Sequence, residues 1–308
     1  MVALVLVAAV VALLSLWWTS RPSARQTESP ATTTGLQLSA AATRYYYVGR
    51  AACATCHAKE DQMWQGSHHD LAMQEVNAST VLGDFADRKI AYNGIESRFF
   101  QRGGQFFVNT DGPDGKLADY AIKYTFGVWP LQQYLIEFPG GRLQALSIAW
   151  DARSKDEGGQ RWFHLYPHER IDHKDSLHWT GQYQNWNLQC AACHSTNLKK
   201  GYEPANNIYK TSFSELNVSC EACHGPGSGH VDWASRAKAP YRSGDDKGLA
   251  VLLHSRWSEA WKFPDAGAKY AQRDQPADSA LMNTCAACHA RRSTLVEAGK
   301  PGAPLADS

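Results

Sequence analysis

Cys53-Ala-Thr-Cys56-His57 is the first of four copies of one pattern, Cys-x-x-Cys-His, which recurs at Cys190/Cys193/His194, Cys220/Cys223/His224 and Cys285/Cys288/His289. Together they use all eight cysteines of the 308-residue chain. Two thiols at this spacing followed by histidine are the attachment signature of c-type haem: the thiols add to the porphyrin vinyl groups and the histidine binds iron from one face. Zinc knuckles and redox dithiols share the paired cysteines but have no need of the histidine. With 12 histidines in 308 residues, four coincidental placements are negligible. Disulfides across two-residue loops would constrain almost none of the fold. The chain is therefore expected to fold around four covalently bound haem c groups with their iron.

Composition narrows the class further. The length suggests one large or two smaller folded units. A formal net charge of +1 excludes the strongly basic balance of a nucleic-acid binder, and neither a Walker loop nor a dinucleotide fingerprint is present. Eleven Trp, thirteen Tyr and ten Phe suit the flanks of porphyrins, or equally an aromatic core.

The expected organisation has six parts. Residues 1–20 form a nearly unbroken apolar run that reads as a signal or anchor helix, and 21–44 a Ser/Thr/Ala/Pro-rich flexible linker. No clean cleavage site follows the run, which favours an uncleaved membrane anchor. Basic residues follow the run without preceding it, so the true start is expected upstream. Residues 45–89 carry the first haem motif, with helix-compatible sequence from Ala58 to Val76. Residues 90–150 form a β-hairpin-rich segment marked by Gly103-Gly104, Asp111-Gly-Pro-Asp-Gly115 and Gly140-Gly141. It contains no cysteine or histidine and reads as a platform or partner surface. Residues 151–298 form a three-haem segment of helix and loop, with a glycine-rich loop at 225–230 that no helix would tolerate, and 299–308 a tail. The fold class expected is a mainly α and irregular multihaem cytochrome c fold organised around four haems, with the β-rich segment inserted.

Twelve histidines less four proximal ones leave eight for the opposite faces of four irons. On a continuous helix His69 would lie about 18 Å from His57, so it is expected to reach a different haem; His68 competes with it. His230 follows a glycine-rich approach that lets backbone come close to a porphyrin, and His164 and His178 are further ligand candidates. His168, His173 and His254 sit among charged or amphipathic neighbours and are expected not to ligate. Met63, Met73 and Met282 are expected to be packing residues.

Longer motifs carry a resemblance. Tyr47-Val-Gly-x-x-x-Cys53, Trp64-Gln-Gly-Ser-His-His69, Thr125-Phe-Gly-Val-Trp-Pro-Leu-Gln-Gln-Tyr-Leu135, Gly159-Gln-Arg-Trp-Phe-His164, Leu177-His-Trp-Thr-Gly181 and Cys220-Glu-Ala-Cys-His-Gly-Pro-Gly-Ser-Gly-His230 resemble the multihaem cytochromes c related to cytochrome c-554. They are most similar to larger members with C-terminal tetratricopeptide repeats. The resemblance implies that His69, His178, His230 and His164 hold haem positions. Those larger members continue beyond Cys-x-x-Cys-His-Ala-Arg-Arg-Ser, so a truncated or split product is expected here.

The expected function is extracytoplasmic electron transfer through closely spaced bis-histidine haems, in the periplasm or at the cell surface. Its partners would be redox proteins, among them other multihaem cytochromes or a membrane quinol-linked complex, with an oligomer or filament admissible. The alternative is a haem oxidoreductase acting on a small nitrogen or sulfur compound at a haem with an open face. No Cys-x-x-Cys-Lys is present, so the lysine-ligated haem of nitrite reductases is missing.

Overall fold

The computed structural model describes residues 45–236, 247–253, 261–273, 279–290, 292 and 301–305. The expected anchor at 1–20, the linker at 21–44, and His254 lie outside them. No described helix is long and apolar enough to cross a membrane.

Sheet, not helix, dominates, which corrects the mainly α expectation. Nine strands form one antiparallel sheet: β1 (Met73–Glu75), β2 (Arg88–Tyr92), β3 (Ile95–Arg102), β4 (Gln105–Asp111), β5 (Leu117–Phe126), β6 (Leu131–Phe138), β7 (Arg142–Ala145), β8 (Ile148–Asp151) and β9 (Arg161–His164). The order is β2-β3-β4-β5-β6-β8-β9, with β1 also on β5 and β7 also on β6. The two end strands lie against each other, so the sheet is nearly closed into a barrel. Tyr92 of β2 stacks on His164 of β9 across this seam at 3.5 Å between ring centres. The sheet thus begins before residue 90 and ends beyond 150. Its outlying strands were not legible locally because β1 is three residues long and is defined only by its partner β5.

The aromatic residues mostly fill this sheet. Phe85 meets Phe99, Phe106, Tyr134 and Trp162 edge-on at 5.1–5.5 Å, and Phe99 stacks on Trp162 at 3.6 Å. With Val108, Ile122, Ile136, Ile148, Trp150 and Trp179 they form the larger core. A second core lies on the other face, where Met73, Phe126, Leu135 and Leu143 pack with Trp186 and with Ala191 of the second haem motif. Strand β5 serves both. A register shift between Ile122 and Tyr124 turns the strand over, so that Ile122 faces the first core and Phe126 the second.

The helices are short: α1 (Arg50–Ala54), α2 (Ala58–Trp64), α3 (Trp186–Gln189), α4 (Ala191–His194), α5 (Cys220–His224), α6 (Ser228–Arg236) and α7 (Ser279–His289). The helix expected from Ala58 to Val76 stops at Trp64, because Gly66 takes a positive φ of 73° and its N–H turns to Asp70 Oδ2 at 2.9 Å. In the opposite sense, α6 begins inside the glycine-rich stretch expected to be loop. Gly229 sits in its first turn, where no earlier carbonyl is needed, and a Cβ there would run into the Tyr45 ring.

Candidate functional site: the haem centres

Each motif occupies a helix end or a helix junction, which places the thiols and the histidine on one local frame. His57 caps α2, His194 ends α4, His224 ends α5 and His289 ends α7. Long-range hydrogen bonds then set the motifs against one another. Glu221, inside the third motif and 1% exposed, accepts from the N–H groups of Val48 and Gly49, just ahead of the first motif, at 2.8–3.1 Å. Its Oε1, shared with Val48, also accepts from Gly227 N–H at 2.7 Å. Glu215 accepts from Arg50 N at 2.9 Å, and Trp64 Nε1 donates to Val218 O at 3.0 Å.

The helices follow the same pairing. The Cys53 thiol donates to Gly49 O at 3.7 Å, and α1 lies against α5 as α4 lies against α7. Burial pushes Cys190 up to about 12. Motif one therefore lies beside motif three, and motif two beside motif four.

Two histidine pairs face each other across these contacts. The ring centres of His57 and His230 are 6.0 Å apart with planes 30° apart; those of His69 and His289 are 6.2 Å apart with planes 72° apart. Two metal–imidazole bonds of about 2 Å each, with half a ring on either side, require roughly 6 Å between ring centres. The tautomers fit as well. His230 Nδ1 is bonded to the Lys247 carbonyl at 2.8 Å and His194 Nδ1 to the Ala72 carbonyl at 2.9 Å, so each carries its proton on Nδ1 and leaves the Nε2 lone pair for a metal. Phe126 packs edge-on against the His194 ring at 5.4 Å. The residues at these sites fit haem.

His164 and His178, the other two ligand candidates, are placed differently. Tyr166 N–H donates to His164 Nδ1 at 3.1 Å, which puts the ring proton on Nε2. His178, 5% exposed, meets Thr180 Oγ1 through Nδ1 at 2.8 Å and Asp111 Oδ2 through Nε2 at 3.1 Å, leaving neither nitrogen free. Both line a cavity of about 30 Å³ at the sheet seam, together with Tyr92, Asp111 and Ser147, and no motif residue reaches it. Burial pushes His164 down to about 4. Asp111 is pushed up by burial but held below the usual carboxylate range overall by His178 and Thr110. His68 stacks on Trp129 at 6.4 Å instead of facing a motif histidine.

The family model for cytochrome c554 and c-prime matches residues 52–91 and 153–225. These stretches hold the first three motifs and skip the centre of the sheet. Over those residues the chain is similar to that family of multihaem c-type cytochromes. No curated protein matches the chain. Two solved structures are similar to it. An outer cell wall cytochrome, OcwA, has TM-score 0.40 and 21% identity, covering 66% of this chain and 36% of its own. An undecahaem cytochrome from the S-layer of Carboxydothermus ferrireducens has TM-score 0.40 and 18% identity, covering 80% of this chain and 25% of its own. The chain thus spans well under half the length of either.

The Glu221 clamp was missed in the sequence, yet it left a signal. The residues between the cysteines are Ala-Thr, Ala-Ala and Ala-Ala in the other motifs and Glu-Ala in the third, and a carboxylate beside a haem-binding cysteine has to be either exposed or bonded.

Proposed function

We propose that the chain is a tetrahaem electron relay working outside the cytoplasm, with two of its irons held from both faces by His57 with His230 and by His69 with His289. The observation that carries the reading is His230: its Nδ1 proton is committed to Lys247 O while its ring stands 6.0 Å from His57. Haem c held by two histidines supplies one-electron exchange with little rearrangement at the iron. The chain's own residues set the spacing. Contacts of α1 with α5 and of α4 with α7 support pairing motif one with three and two with four. Pro301 lies beside Gly225, and Gly302 O accepts from Asn283 Nδ2 at 3.4 Å, which supports three lying near four. The spatial order is then one, three, four, two, with an electron entering at one outer motif and leaving from the other. Exchange with a second redox protein, such as another multihaem cytochrome, takes place at an outer motif.

Spectroscopy of the holoprotein tests this. His230→Ala and His69→Ala should each convert one low-spin haem to a high-spin haem that binds carbon monoxide when reduced. Unchanged spectra in both variants would discard the ligation. A parent protein whose haem binds nitrite or hydroxylamine would move the function to catalysis on small nitrogen compounds.

A further inference from the structure

Glu221 is the most deeply buried carboxylate among the described residues, and no cation neutralises it there: its bonds are to the N–H groups of Val48, Gly49 and Gly227. All three are donors, which suits the acceptor-only carboxylate form. The neighbouring charges do not cancel it. Arg50 is paired with Asp61, and Glu215, bonded to Arg50 N, adds a second negative group with one oxygen buried and unpartnered. Tyr47 registers the field, since its phenol is pushed up by burial and by Glu221.

We propose that Glu221 is a positioning residue that fixes the haem of motif one against that of motif three and, through its charge, holds the reduction potentials of these two haems below those of the other pair. A ferric haem carries one more positive charge than a ferrous one. A fixed carboxylate adjoining Cys220 on one side and the approach to Cys53 on the other therefore favours the oxidised form of both. Hydrogen bonding and burial around a redox group are recognised levers on its potential. The relay then runs from a low-potential half to a higher-potential half, which gives it a direction.

The inference rests on the haem reading above, and one experiment separates the two. Intact mass and a spectroelectrochemical titration are taken on the holoprotein of the parent, of Glu221→Gln and of Glu203→Gln, a surface control ion-paired with Lys210. A parent without four covalent haems overturns the haem reading. With haems present, Glu221→Gln should shift two of the four midpoints upward and leave two in place, while Glu203→Gln shifts none. An unchanged titration overturns the role of Glu221 alone. Should the Gln variant fail to mature, Glu221→Asp moves the charge away from the Val48 and Gly49 amides. It must then shift the same two midpoints in the same direction, and unchanged midpoints overturn the proposal.

Discussion

At the scale of single residues, the histidines divide by what their Nδ1 atoms do. His230 and His194 give that proton to a backbone carbonyl, whereas His164 receives a backbone N–H there and His178 is bonded at both nitrogens. His178→Ala should therefore leave the haem spectrum unchanged but cost about 1–3 kcal/mol of stability in chemical denaturation, because Asp111 loses its main partner in a buried setting. Loss of a low-spin signal would instead make His178 a ligand. His164 gives a pH dependence. Its ordinary value of 6.5 falls to about 4 in the fold, so the folded chain holds it neutral while the unfolded chain takes up a proton below 6.5. Stability from this group is complete above 6.5 and is lost progressively as pH falls towards 4. Thermal melts of the parent should drop between pH 7 and pH 5, and His164→Phe should flatten that slope; an unaltered slope would contradict it.

The four motifs stand out in the sequence because covalent haem chemistry is written into five consecutive positions. His69 reaches its place by a route the sequence did not suggest. A continuous helix was to carry it away from His57, yet the helix breaks at Gly66 and the segment is drawn instead to the third motif, where Val218 N bonds His69 O at 3.2 Å. The setting of His178 could not be read from its neighbours, because Asp111 comes from β4 and only sheet register brings the two together.

At the scale of elements, the sheet is more than a platform. One of its faces is the wall against which the second motif stands, and the face-switch in β5 allows one strand to supply both cores. Leu135 and Ile136 are adjacent on β6, nearly fully buried, and point to opposite cores. Either one changed to Ala should cost about 2–5 kcal/mol. The consequences for haem should differ: Leu135→Ala loosens the packing around Trp186 and Ala191 and should lower haem occupancy at Cys190/Cys193, while Ile136→Ala should leave all attachment intact. Peptide mapping of covalent haem in the two variants checks this. Equal loss at the second motif from both would mean that the sheet acts only through overall stability. The strands outside 90–150 escaped the sequence reading because short edge pieces such as β1 have no alternation long enough to see.

At the scale of the whole molecule, mass is the decisive count: the denatured holoprotein should exceed its polypeptide mass by four haems, and a smaller excess would remove the relay as proposed. The crossing of histidines between motifs also bears on how such a chain is made. On the proposed ligation, the first motif waits for His230, which emerges only after more than half of the chain has followed, whereas the last motif finds His69 already in place. Maturation is then asymmetric in time. The earliest cofactor attached stays vulnerable to passing ligands such as carbon monoxide or nitric oxide for most of synthesis and export, and the latest is sealed almost as soon as it is installed.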